Sequence, residues 1–100
     1  MDVTVQLSGE QAVIRIRGRF EFSGYRDFRD ALDRAFAPPA RDVVIDLSST
    51  DYLDSSALGM LLIAHDRAKS VNRKITLSGS RGSVHEVLEV ANLHKRFTMS

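Results

Sequence analysis

The sequence predicts an α/β fold: a mixed β-sheet with helices packed on one face, in the order β-β-α-β-α-β-α, with a candidate short final strand. Three observations predict it. Two apolar segments of period two near the N-terminus read as an antiparallel hairpin with one wet face. The run Val43-Val44-Ile45 reads as a buried strand. From the first helix onward, stripes at helical spacing alternate with strand-like segments, which places helices over the sheet. One hundred residues fit a single domain, 1–100, with no room for a second.

The elements follow in order. Val3, Val5 and Leu7 point one way while Thr4 and Gln6 point the other, the first strand. Ser8-Gly9-Glu10 is a turn, and Val13 to Arg17 forms the second strand, with Ile14 and Ile16 opposite Arg15 and Arg17. Tyr25, Phe28, Leu32 and Ala35/Phe36 make one apolar helical stripe, with Ser23 as the expected N-cap. Pro38-Pro39 stops that helix. Asp42 to Leu47 is the third strand, Ser48 to Asp54 a polar connection, and Ser55 to Val71 the second helix. Lys74 to Ser78 alternates again. Ser83 and Glu86 are spaced as a capping box at the head of a third helix whose stripe is Val84, Val87, Leu88 and Ala91. Phe97-Thr98-Met99 is the candidate final strand. If one sheet face is bare, Thr4, Gln6, Arg15, Arg17 and Thr76 are accessible, while Val5, Ile14, Ile16, Ile45 and Ile75 are buried.

Composition removes several functions. Hydrophobic residues at 43% and charged residues at 27% exclude a disordered chain. Fourteen basic against thirteen acidic residues leave +1, which argues against a general polyanion binder, nucleic-acid proteins included, since such a binder needs a net basic face. With no cysteine there is no disulfide, thiolate metal site or cysteine nucleophile. The apolar run Ala57 to Ala64 is far short of the ~20 residues a membrane span needs. Met1-Asp2-Val3-Thr4 lacks the features of a secretory signal. A cytoplasmic location without membrane insertion is expected.

The informative run is Asp46-Leu47-Ser48-Ser49-Thr50-Asp51-Tyr52-Leu53-Asp54-Ser55-Ser56-Ala57-Leu58-Gly59. It leads from the C-terminal end of a buried strand into a helix, where open α/β sheets tend to hold ligands. The first N–H groups of that helix have no partner within it, and its dipole adds roughly half a positive charge there. Asp54 or Ser55 can cap them. The alternative role for a serine here is to accept a phosphate, which the amides and dipole would stabilise without unfolding the chain. Its charge would fall beside Asp54, Asp51 and Asp46. On a helical wheel Ala57, Leu61, Ala64 and Ala68 form the core stripe, and Leu62 and Ile63 lie off it, on either side of Gly59 and Asp66. They are either covered by neighbouring helices or left as an apolar docking rim beside the serines.

Asp54-Ser55-Ser56-Ala57-Leu58-Gly59, preceded by Val43-Val44-Ile45-Asp46-Leu47, resembles the signature of STAS domains, in particular of bacterial anti-sigma factor antagonists. The likeness covers essentially the whole chain. It implies a non-enzymatic regulator of transcription, without a cofactor, that switches partners by phosphorylation. The unphosphorylated form would bind an anti-sigma factor that is also a serine kinase, and a PP2C-type phosphatase would restore binding after modification. By this resemblance Ser55 is the acceptor and Asp54, Ser56 and Gly59 are its motif neighbours; the expected partner contacts are Glu21, Asp46 and Leu58, together with Leu62 and Ile63 of the apolar rim read from the helical wheel. A monomer is expected. Glu21, in Gly18-Arg19-Phe20-Glu21, stands where the family often has aspartate, and Ala57 replaces a commoner glycine. The same fold would also serve as an unphosphorylated STAS subunit of a transport ATPase complex.

Other chemistries rank lower. Ser55 and His65 are ten residues apart on one helix, roughly 15 Å, too far to form a nucleophile–base pair. Asp46, Asp51 and Asp54 could hold Mg²⁺, but the first strand carries none of the acids a receiver would add. Gly79-Ser80-Arg81-Gly82-Ser83 lacks the Gly-Lys-Ser/Thr ending of a P-loop.

Overall fold

The alternation of the first twenty residues becomes a hairpin. The computed structural model describes residues 1–100. Strand β1 (Asp2–Ser8) pairs antiparallel with β2 (Gln11–Phe20), with Val3 opposite Ile16, Thr4 opposite Arg15 and Val5 opposite Ile14. Gly9, at φ +62°, supplies the left-handed residue of the tight turn. After a 3-10 turn over Phe22–Gly24 come α1 (Tyr25–Ala35), β3 (Asp42–Asp46), β4 (Thr50–Leu53) and α2 (Ser55–Ser70). The chain ends with β5 (Ile75–Ser78), α3 (Gly82–Val90), a second 3-10 turn and β6 (Thr98–Met99).

The sheet order is β1-β2-β3-β5-β6, with only the first pair antiparallel. Inward residues Ala12, Ile14, Ile16, Val43, Ile45, Ile75 and Leu77 are buried. Their outward neighbours, Thr4, Gln6, Arg15, Arg17, Val44 and Thr76, are exposed or half-buried. One sheet face is therefore covered and the other open, as the alternation requires. Val5 is only half-buried, and Leu7, at the hairpin tip, is exposed. A single apolar cluster joins the covered face to Phe28, Leu32, Leu61, Ala64, Val84 and Leu88 of the helices. No helix is long and apolar enough to cross a membrane.

Besides Val5, and Ala91, which is exposed just past the end of α3, the structure corrects other local expectations. The polar connection Ser48–Asp54 contains β4, which runs parallel to the far half of the ten-residue β2, with Gly18 opposite Thr50 and Phe20 opposite Leu53. Tertiary bonds override its loop-like composition: the buried Thr50 hydroxyl donates to the Ile16 carbonyl at 2.8 Å, and Gly18 N–H donates to that of Ser49 at 2.9 Å. Ser23 does not cap α1, because it lies inside the 3-10 turn and Gly24 occupies the cap position. Tyr25, expected in the apolar stripe, is exposed at the first turn. Ser83 lies inside α3, which starts one residue earlier behind Arg81. The turn before it is held by Ser80 and His85 Nδ1, 2.9 Å apart, rather than by a capping box.

Candidate functional site

The pairing of β4 with β2 aims the chain at the head of α2. Asp54 N–H donates to the Phe20 carbonyl at 3.3 Å, and Asp54 itself is extended, as a helix N-cap should be. Its carboxylate accepts the Ala57 N–H at 2.8 Å. Asp54 is thus the cap. Ser55, the first helical residue, stands exposed outside that bond, beside the unpaired amides of the first turn.

Helix α2 has three kinds of surface. Ala57, Leu61, Ala64 and Ala68 form the buried stripe. Leu58 and Leu62 are half-buried and lean on the core. On the flank toward α1, Ser56, Gly59, Met60 and Ile63 line an open apolar groove of about 260 Å³, closed on its other side by Phe22 and Tyr25. The two aromatic rings stack at 6.2 Å and 16°. Phe22 is 67% exposed and Ile63 52%, large values for apolar side chains beside a polar helix start. Leu62 and Ile63 therefore have different environments: Leu62 is partly covered, and Ile63 is the open one.

Other residues of the site sit at varying distance from this groove. Glu21 follows β2 directly, next to the strand end that holds Asp54, and lies 3.5 Å from the Arg19 guanidinium. Arg19 also covers the Tyr52 ring at 3.8 Å. Asp46 is not brought to the groove: it lies on the open sheet face, bonded to Arg15 Nε at 3.0 Å and to the Ser48 N–H at 2.9 Å. Burial works to raise its pKa. The Ser48 hydrogen bonds and the Arg15 charge outweigh that and hold the carboxyl below its ordinary value of 3.8.

The geometry also bears on the lower-ranked chemistries. Asp46, Asp51 and Asp54 do not converge into a ligand set. His85 engages Ser80 and, at 2.7 Å, Glu89, while His65 meets Asp66 and the edge of Phe97. None of these histidines is bonded to Ser55. Sequence reasoning missed Phe22, Tyr25 and Met60 as groove residues. The available signal was an aromatic pair three apart at the strand-to-helix junction, together with the i, i+3, i+4, i+7 set Ser56-Gly59-Met60-Ile63.

Comparison with known proteins agrees with this architecture. The chain is 42% identical over 92 residues to a STAS-domain containing protein of Pseudomonas aeruginosa (strain UCBPP-PA14), covering 92% of this chain and 90% of that relative. Its fold superposes on an anti-sigma factor antagonist from Mycobacterium paratuberculosis with a TM-score of 0.86 at 19% identity, over 98% of this chain and 83% of the other. The phosphorylated form of the Bacillus cell fate determinant SpoIIAA gives 0.76 at 17% identity, over 99% and 91%. At such identities the structural likeness establishes the fold. Residues 3–99 match the family model described as "Mlab, STAS domain", and the chain therefore belongs to the STAS-domain family.

Proposed function

We propose that this STAS domain, 1–100, is a phosphorylation-controlled partner-switching regulator of the anti-sigma factor antagonist type, and that it acts by binding rather than by catalysis. One observation carries the reading: a capped helix start presents an exposed Ser55 beside an apolar groove lined by Ser56, Gly59, Met60 and Ile63. The partner is an anti-sigma factor with serine-kinase activity, bound while Ser55 is unmodified. Docking would cover Phe22, Tyr25 and Ile63, with Glu21, Leu58 and Leu62 at the margin. Asp46 serves chiefly the sheet, through Arg15.

The switch is electrostatic. A phosphate on Ser55 brings about −1.5 to −2 charges to a contact that accepts a neutral hydroxyl. It would also lie close to the Asp54 carboxylate. The helix amides and dipole stabilise that charge in the free chain, so modification weakens the complex without unfolding the regulator. A PP2C-type phosphatase would reverse it.

The test is affinity capture with the Ser55→Ala and Ser55→Asp variants, followed by mass spectrometry of the bound proteins. An ATP-binding kinase retained by Ser55→Ala and lost by Ser55→Asp is the expected result. Equal retention of a transport ATPase by both, with Ser55 unmodified in cells, would replace this reading with that of a constitutive subunit.

A further inference from the structure

At the far end of α2 from Ser55 lies a second concave feature. A cleft of about 440 Å³ opens between the end of α2, the start of β5 and the segment entering β6. Ala68 and Ile75 contribute its apolar lining, and Lys69, Arg73, Lys74 and Arg96 its charge. No carboxylate lines it. The ion pairs of the chain engage Arg15, Arg19, Arg67, His65 and His85, and none of these four cations. The nearest acid along the helix, Asp66, is turned to His65. With a net charge of only +1 for the whole chain, four uncompensated cations in one cleft are a local concentration rather than general basicity.

Two ordinary roles account for part of this set. Lys69 lies in the last turn of α2, where a cation complements the helix dipole. Arg73 donates to the Phe36 and Ala40 carbonyls at 2.9 and 2.8 Å, which ties the chain after α2 to the end of α1. Those bonds use one terminal nitrogen and are made to neutral acceptors. They fix the guanidinium in place and leave its charge uncompensated, the preorganised state of an anion-binding arginine. Lys74 and Arg96 have neither role.

The cleft also constrains what would fill it. Its volume lies within the range of small-molecule sites. It lacks the exposed Trp, Tyr or Phe anchor that a protein interface centres on: Phe97 is buried, and the His65 ring that lines the cleft is half-buried and packed against Phe97. No exposed Trp, Tyr or Phe face is offered there for a nucleobase to stack on. We infer that this cleft binds a compact polyanion carrying two or more phosphate groups, recognised through Lys69, Arg73, Lys74 and Arg96. The ligand is either a free phosphorylated molecule or the headgroup of an anionic lipid.

The experiment is a titration of the full chain with tripolyphosphate at 0.15 M salt, followed by amide chemical shifts. ATP and vesicles containing cardiolipin, whose headgroup carries two phosphates, serve as parallel arms. The expected result is saturable binding with shifts confined to residues 65–76 and 95–99, and no tighter binding of ATP. Replacing both Lys74 and Arg96 by Gln, two exposed positions outside the core, should weaken binding roughly tenfold or more through lost charge-assisted contacts. An Arg26→Gln/Arg29→Gln control on α1 should not. Tripolyphosphate binding alone supports a free ligand. Binding of both tripolyphosphate and vesicles, each lost in the cleft variant, supports the headgroup. Non-saturating shifts over all basic surfaces, equal weakening by the α1 control, or binding of vesicles alone would overturn the inference.

Discussion

Replacing Gly59 by Ala should move stability and partner binding in opposite directions. Gly59 is the fifth residue of α2 and exposed, and a Cβ built there meets nothing within 4 Å. Within the free chain the substitution only removes backbone entropy from the unfolded state, a gain of about 0.5–1 kcal/mol for a helix interior. In a domain of this size 1 kcal/mol corresponds to about 4–8 °C in Tm, so melting should rise by roughly 2–8 °C. The same methyl would stand on the lip of the groove formed by Ser56, Met60, Ile63, Phe22 and Tyr25. Against a closely packed partner, an added methyl typically costs about 1–3 kcal/mol. That is a loss of affinity of roughly fivefold to 150-fold. Thermal melts followed by circular dichroism, with calorimetric titration of the cognate kinase, measure both. A lowered Tm would refute the open space above Gly59, and a raised Tm with unchanged affinity would refute docking on this flank.

Three further outcomes follow from the same geometry. Ile63→Lys should change stability by less than about 1 kcal/mol, because the side chain is half exposed and a lysine stem can lie along the groove. It should nonetheless abolish partner binding, since docking would bury an unpaired charge; melts and titrations of the variant separate the two effects. Asp54→Ala removes the acceptor of the Ala57 N–H and should cost about 1 kcal/mol, measurable by urea unfolding. Asp46, whose carboxyl is held below its ordinary 3.8, contributes stability that is present above that value and is lost as pH falls through the lowered native pKa. Asp46→Asn should therefore flatten the acid limb of the stability–pH curve below about pH 4 and leave its shape above that unchanged.

Much of the fold was legible because one sheet face is bare. A period of two is visible only when alternate residues meet water, and Ile14, Arg15, Ile16 and Arg17 do. Strand β4 was illegible for the opposite reason. Ser48, Ser49, Thr50 and Asp51 have loop composition, and what makes a strand of Thr50–Leu53 is the ladder to Gly18–Phe20, far earlier in the chain. The caps show the same division. Asp54 could be read as a cap from its place before Ser55, whereas α1 is preceded by a 3-10 turn and α3 is entered through the Ser80–His85 contact. In the site, the motif located Ser55 and Asp54, but no periodicity shows that Phe22 and Tyr25 form the opposite wall of the groove. That depends on how α1 packs on α2.

Phosphopeptide mapping after incubation with the cognate kinase and ATP, paired with the affinity of each form, tests whether Ser55 is the switch. Phosphate is expected on Ser55, with a near-unchanged backbone and a loss of binding of ~3 kcal/mol or more, over a hundredfold, for an unpaired charge at a desolvated contact. Ser55→Ala should bind constitutively and Ser55→Asp poorly, while Ser56→Ala should still switch, because its side chain turns by about 100° from that of Ser55, into the groove. Phosphate found on Ser56 alone, or full switching by the Ser55→Ala variant, would rule out Ser55 as the switch.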